Sequence, residues 1–152
     1  MIPSINCVNL IKKWEGFKNK PYQVIYNGKK DVPTIGYGST FYLDGKKVTM
    51  KDKMITEATA SEMLSVIVND FATKMVPYIK VKLNQNQFDS LVCFSYNVGL
   101  GNFIKSTLLK KVNKSDFIGA GSEFLKWNKC KGEVVAGLTN RRKDEQTLFL
   151  KV

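Results

Sequence analysis

Residues 21–48 read PYQVIYNGKKDVPTIGYGSTFYLDGKKV. Val, Ile, Tyr and Thr dominate the stretch, and Asn27-Gly28 and Asp44-Gly45 break it with dipeptides that favour the positive φ of tight hairpin turns. It predicts a small antiparallel sheet of about three strands. Outside it the apolar period lengthens to three or four. Ser4 is placed to cap a short helix on which Val8, Ile11 and Trp14 share a face, with Gly16 ending it. Thr56 opens a long helix carrying Ala60, Met63, Ile67, Phe71 and Met75 and stopping at Pro77; roughly 20 residues at ~1.5 Å each would span ~30 Å and bridge two lobes. A helix from about residue 85 to 97, ended by Gly99, holds the run Leu91-Val92-Cys93-Phe94, and shorter helices are predicted near 102–112, 116–128 and 138–150. Helix, small sheet, bridging helix and helical lobe make an α+β fold. The 152 residues, 43% hydrophobic, suit one domain. Its sheet-containing lobe covers about 15–55 and its bridging helix about 56–80. The helical lobe takes about 81–152 together with the N-terminal helix.

The net charge is +11 and histidine is absent. The first 50 residues carry an excess of +5, the next 50 are neutral, and the last 52 carry +6. Two cationic lobes flanking a cleft would attract an extended anionic ligand. Without His there is no Ser-His-Asp or Cys-His catalytic set and no HExxH zinc site, so an enzyme here works with carboxylates, hydroxyls, Lys, Tyr or Cys. Cys7, Cys93 and Cys130 lie far apart, too few for a Cys₄ site, and are read as small buried residues in a reducing compartment. The start MIPSINCVNLIKKWEG lacks a basic segment followed by an apolar run, and no stretch is long and apolar enough to span a membrane. A chain made in the cytoplasm is expected, with no stable membrane insertion.

Chemistry concentrates where the first helix meets the sheet. Glu15 falls at the C-terminal end of its helix between Trp14 and Phe17, and both the macrodipole and the apolar neighbours favour the neutral acid. A carboxylic acid kept protonated is what protonating a glycosidic oxygen requires. The bland alternative is a solvated helix-end glutamate. In residues 34–39, TIGYGS, alternation puts Ile35 and Tyr37 on one face and Thr34, Gly36 and Gly38 on the other. That second face bears almost no side-chain bulk, so a flat sugar ring or another backbone can approach closely.

Glu15-Gly16-Phe17, Thr34-Ile35-Gly36-Tyr37-Gly38-Ser39-Thr40, Phe94-Ser95-Tyr96-Asn97-Val98-Gly99, Ser106-Thr107-Leu108-Leu109 and Gly137-Leu138-Thr139-Asn140-Arg141-Arg142 occur in one order across nearly the whole chain. Together they resemble the motifs of the bacteriophage-type lysozymes, the endolysins of glycoside hydrolase family 24. The resemblance implies a lysozyme-like fold and hydrolysis of the β-1,4 bond between N-acetylmuramic acid and N-acetylglucosamine in peptidoglycan, without metal or cofactor. It further implies a monomer, made in the host bacterial cytoplasm, that reaches the cell wall after a holin-type pore opens the membrane.

By the same resemblance Glu15 matches the general acid and Thr34 the cleft threonine that helps place the attacking water. The family's usual spacing is Glu, eight residues, Asp or Cys, five residues, Thr. Here the residue nine after Glu15 is Val24, and Thr34 follows Glu15 by nineteen, four more than usual. Asp31 is the one carboxylate left between Glu15 and Thr34, hence the natural replacement. A two-residue turn at Asn27-Gly28 would pair Tyr26 with Lys29, Ile25 with Lys30 and Val24 with Asp31. Strict alternation then turns Asp31 away from Thr34 unless a bulge near Pro33 redirects it. The competing reading is that Glu15 and Thr34 suffice.

The resemblance also places Gly38 and Ser39 at the substrate, assigns Asn97 a substrate-facing amide and Thr107 or Ser106 a cleft hydroxyl, and matches Arg141 to an arginine that pairs with Glu15. Such a partner would favour the ionised acid, against the helix end and the apolar neighbours. Asn97 also reads as a helix C-terminal cap beside Gly99. Inversion is the family precedent. The alternatives are a lytic transglycosylase, which needs one catalytic acid, and a non-catalytic binder of cell wall or nucleic acid suggested by the charge. No recognition helix or interleaved basic and aromatic array supports a nucleic-acid partner.

Overall fold

In the computed structural model, which describes residues 1–26 and 28–152, helix α1 runs Ile5–Glu15. The Ser4 hydroxyl accepts the Asn6 amide at 3.1 Å and is itself bonded to the Asp89 carboxylate, so the expected cap is present and anchored. At the other end Gly16 has φ +72°, and its N–H donates to the Lys12 carbonyl at 3.0 Å. A residue with a Cβ avoids that conformation, which is why the helix stops there and Glu15 is its last member.

Four short strands follow: β1 Lys18–Tyr22, β2 Ile25–Tyr26, β3 Lys29–Lys30 and β4 Thr34–Gly36. They form two separate antiparallel pairs, β1 with β4 and β2 with β3, and not the single three-stranded sheet expected. The pairing lapses between Tyr22–Thr34 and Ile25–Lys30, where residues 23–24 and 31–33 belong to no strand; within β1 Lys18 pairs with Gly36 and Tyr22 with Thr34, so four residues of advance on one strand meet two on the other. Pro21 in that interval has no N–H to give a ladder. The inner hairpin keeps the expected register, Tyr26 opposite Lys29 and Ile25 opposite Lys30, and the Asp31 N–H donates to the Val24 carbonyl at 2.8 Å. Asn27, the first residue of the expected turn, lies outside the described residues; Gly28 has φ +74°.

Beyond β4 the chain reverses sharply. Ile35 and Ser39 exchange both backbone hydrogen bonds at 2.9 Å around Gly36, Tyr37 and Gly38. Asp44-Gly45 makes the second expected turn, with the Asp44 carboxylate accepting the Lys46 amide at 2.9 Å. Helix α2, Glu57–Met75, starts where expected, the Thr56 hydroxyl accepting the Thr59 amide at 3.2 Å. Its buried row is Ala60, Leu64, Val68 and Ala72 with Met63 and Met75; Ile67 and Phe71, expected inside, are half-buried. The apolar stripe is therefore rotated by one residue toward the smaller side chains. A 3₁₀ turn at Val76–Tyr78, containing Pro77, ends it.

Two compact units result, Val8–Val68 and Met1–Cys7 with Asn69–Val152. The core of the first gathers Ile35, Val48 and Met63, with Tyr42 and Ile55 against them. In the second, α3 Gln85–Val98 is opened by a capping box of Asn84 and Gln87, and Phe88, Leu91, Val92, Cys93 and Phe94 are buried along it. The single helix expected near 102–112 is two, α4 Leu100–Lys105 and α5 Thr107–Asn113. They part at Ser106, whose hydroxyl donates to the Phe103 carbonyl at 2.6 Å and accepts the Leu109 amide at 3.1 Å. Helix α6, Phe117–Phe124, stops short of the expected 128 and gives way to a hairpin, β5 Lys129–Cys130 and β6 Glu133–Val134, before α7 Ala136–Phe149. Phe94 meets Phe103, Phe124 and Trp127 edge-on at 6.4, 5.3 and 5.6 Å between centroids, and this aromatic cluster fixes α3 against its neighbours. Of the three thiols Cys7 and Cys93 are buried as expected, whereas Cys130, on the hairpin, is exposed. Among the described residues no helix is long and apolar enough to cross a membrane.

Candidate active site

The end of α1, whose last residue is Glu15, is held by contacts of its neighbours. Phe17, two residues on, packs against Tyr37 at 5.6 Å, and the Tyr37 hydroxyl donates to the Glu57 carboxylate at 2.8 Å. Ser61 donates to the same oxygen at 2.6 Å and the Lys12 ammonium lies 3.3 Å from it. These three donors, Ser61 first, hold the Glu57 carboxyl below its usual range. Glu57 thus ties α1, the turn after β4 and the start of α2 together, in a network that sequence reasoning missed because its members are 12 to 61 in chain position with no motif linking them.

Tyr22 links the acid to the hydroxyl strand. Burial, with the Glu15 charge adding to it, pushes the Tyr22 phenol up. Tyr22 also sits directly opposite Thr34 in the β1–β4 pairing. The Glu15 charge is thus felt at the residue that pairs with Thr34, nineteen positions along the chain from the acid. It was not legible beforehand, since the register depends on the irregularity at Pro21.

The Thr34 hydroxyl donates to the Val32 carbonyl at 3.0 Å, leaving its lone pairs to accept a hydrogen bond. The Val32 N–H, in turn, is held by the Asp31 carboxylate at 2.9 Å, and the Asp31 carbonyl accepts the Gln23 side-chain amide at 3.0 Å. Asp31 is exposed and lies between strands, as residues 31–33 belong to none, so strand alternation does not govern its direction. Val24, across from it, is 56% exposed.

The glycine face is not the open platform that alternation suggests. Gly36 has φ +69°, and a Cβ there would stand 3.1 Å from the Ala60 Cβ of α2, so the close approach at this glycine is by a helix. Gly38, φ +88°, lies in the turn, half-buried, and Ser39 is only 1% exposed. The chain turns at 37–38, so Thr34, Gly36 and Gly38 do not line up on one strand face.

In the second unit Asn97 is exposed on the last turn of α3, while the C-cap is Gly99. Asn97 lines a recess of about 360 Å³ together with Asn102, Trp127, Lys129, Leu138 and Arg142. Of the two candidate hydroxyls, Ser106 is buried and spent on its helix cap, whereas Thr107 is exposed at the start of α5. Arg141 is 4% exposed; its guanidinium approaches the Cys93 carbonyl at 3.4 Å and the Glu145 carboxylate at 3.7 Å. Glu145 is bound more tightly by Arg142, at 2.5 and 2.9 Å, and burial outweighs both arginines to push its carboxyl up to about 7. Among the described residues no group of three or more acids and cysteines is placed to hold a metal ion. A carboxyl group at a helix end and a threonine hydroxyl on the neighbouring strand pair are the residue types that acid-assisted hydrolysis uses.

A family model described as phage lysozyme matches residues 12–145. An endolysin of Bacillus phage B103 is 43% identical over 143 residues, 94% of this chain, and the chain spans about half, 52%, of that relative's length. The structure of an endolysin from Escherichia coli O157:H7 phage FAHEc1 superposes with a TM-score of 0.87 at 34% identity, covering 99% of this chain and 94% of that one. The muramidase domain of SpmX from Asticaccaulis excentricus does so with a TM-score of 0.82 at 29% identity, over 98% and 97% of the two chains.

Proposed function

The chain belongs to the phage lysozyme family, and we propose that it is an endolysin of the muramidase type, hydrolysing the β-1,4 bond between N-acetylmuramic acid and N-acetylglucosamine in peptidoglycan to lyse a host cell. What supports this reading is Tyr22, whose phenol feels the Glu15 charge and which pairs with Thr34 across β1 and β4. The endolysin and muramidase names of the similar proteins point the same way.

In the proposed reaction Glu15 gives its proton to the leaving glycosidic oxygen as the C–O bond breaks. A water held by the Thr34 hydroxyl attacks the anomeric carbon from the opposite face and yields the inverted product. General acid catalysis of this kind contributes about 10²–10⁴-fold. Asp31 takes the water's proton if its carboxylate stands roughly 6.5–9.5 Å from that of Glu15, the separation that leaves room for the water. Asn97 and Thr107 are assigned to substrate contact, Gly38 and Ser39 to shaping the turn beside Thr34, and Arg141 to a supporting charge. The protein acts as a monomer on the cell wall, which it reaches through a holin-type pore.

Glu15→Gln keeps the shape of the side chain and removes the proton, so it is expected to abolish clearing of peptidoglycan suspensions by at least about 10²-fold at unchanged thermal stability. Retained clearing would remove Glu15 from the acid role.

A further inference from the structure

The segment Ile79-Lys80-Val81-Lys82-Leu83, between α2 and α3, alternates apolar and basic residues. The chain is extended at Ile79, with φ −94° and ψ 119°, and the alternation is carried into space. Ile79 and Val81 are half-buried and Leu83 is buried, while Lys80 and Lys82 are exposed. The three apolar residues line a recess of about 330 Å³, which Met1, Val76 and the buried Phe88 of α3 line as well. Among the described residues Lys82 is the one charged side chain in that lining, and no neutral hydrogen-bonding side chain is there. The walls are tied down on both sides. The Asn113 side chain accepts the Lys80 amide at 2.8 Å and donates to the Tyr78 carbonyl at 2.9 Å, and the Gln85 side-chain amide donates to the Ile2 carbonyl at 2.9 Å.

Met1, Ile2, Val76 and Tyr78 leave large apolar side chains in solvent here, and apolar surface gathered around a hollow marks a contact site. Basic groups accompany it: Lys80, Lys82 and Lys114, the last next to Asn113, are all exposed. The acids close by in the chain are engaged. Asp70 pairs with Lys74 at 2.9 Å, the buried Asp89 takes hydrogen bonds from Ser4 and Gln85, and Asp116 holds the Gly119 amide. We propose that this face seats the protein on the surface of an anionic phospholipid bilayer, the recess taking part of one acyl chain and the three lysines meeting the phosphates. Hydrocarbon suits such a lining better than a peptide does, since peptide N–H and C=O groups would find no side-chain partner in it. Lysine stems lie along the apolar rim while their ammonium groups stay at the headgroups. Attachment of this kind joins apolar contact to charge and needs no spanning helix. It goes beyond the hydrolase reading and does not depend on it.

Co-sedimentation of the full chain with phosphatidylcholine vesicles, with and without phosphatidylglycerol, measures the binding, which is expected with the acidic lipid only. A chain of net charge +11 is drawn to any anionic surface, so the test is a comparison of variants. Lys80→Gln with Lys82→Gln is expected to weaken binding about ten-fold or more. Lys51→Gln with Lys53→Gln, an equal loss of charge from exposed lysines of the other unit, is expected to weaken it by less than about two-fold. Equal weakening by the two pairs would reduce the attraction to net charge and overturn the proposal. Contact is read by methyl NMR with phospholipid that carries a nitroxide on its acyl chain. The Val76, Ile79 and Val81 signals are expected to broaden while that of Ile118, 81% exposed on α6, stays sharp. Broadening centred on Ile118, or at neither place, overturns the proposal. So does broadening of the recess signals by self-association without lipid, which would give the surface to a second copy of the chain.

Discussion

By the spacing that the resemblance implies, Val24 stands where a second catalytic side chain is expected, and its exposed apolar side chain has nothing to offer a water. Asp31, opposite it in the hairpin register, holds the Val32 amide, and Val32 in turn receives the Thr34 hydroxyl. If Asp31 is the base, Asp31→Asn is expected to lower hydrolysis about 10²-fold or more without changing stability. A variant within a few-fold of the parent would mean that Glu15 and Thr34 suffice, with Asp31 limited to shaping the loop. Glu15 and Thr34 were legible in the sequence because each sits in a short motif whose chemistry is local: a helix end, and a threonine opening a glycine-rich turn. Tyr22 and the burial of Ser39 were not, since the first follows from the irregular pairing around Pro21 and the second from the reversal that bonds Ser39 back to Ile35.

Among the elements, the turn after β4 is the one on which the site depends. Gly36 combines φ +69° with a Cβ position 3.1 Å from Ala60, whereas Gly45 has φ +84° and nothing within 4 Å. Forcing alanine into the left-handed region costs about 1–2 kcal/mol at either place. Gly36→Ala adds displacement of α2, so it is expected to lower the unfolding free energy more than Gly45→Ala does, and to reduce activity as well. Equal losses in denaturant titrations would mean that the turn does not support the helix. Helices with strong caps were readable in advance, as at Ser4 and Thr56. The break at Ser106 was not, because Phe103-Ile104 and Leu108-Leu109 on either side of Lys105-Ser106-Thr107 keep a helical spacing whether the helix is one or two. The β5–β6 hairpin escaped for a similar reason. Its turn places Lys131 at φ +52° before Gly132, and lysine is a weak signal for a conformation that Asn or Asp advertises.

At the scale of the whole molecule the sequence supplied the α+β class and the order of elements, and it supplied the charge. The buried Glu145 makes stability depend on pH in an unusual sense. Its carboxyl is held near 7 in the folded protein against 4.5 as the ordinary value, so the fold binds this proton more tightly than the unfolded chain does. The contribution is full below about 4.5 and is lost as pH rises through about 7. Melting temperature is therefore expected to fall from about pH 5 to about pH 8, and Glu145→Gln to flatten that slope. Glu57 and Glu123, whose carboxyls are held low, work in the opposite sense and only in more acid solution.

The central claim, hydrolysis of the wall glycan at the muramic acid bond with water as nucleophile, is tested most directly by mass spectrometry of peptidoglycan digested with the unmodified chain. The account expects muropeptides ending in reducing N-acetylmuramic acid. Anhydro-muramic ends would instead make the protein a lytic transglycosylase, and an undigested polymer would leave it a binding protein.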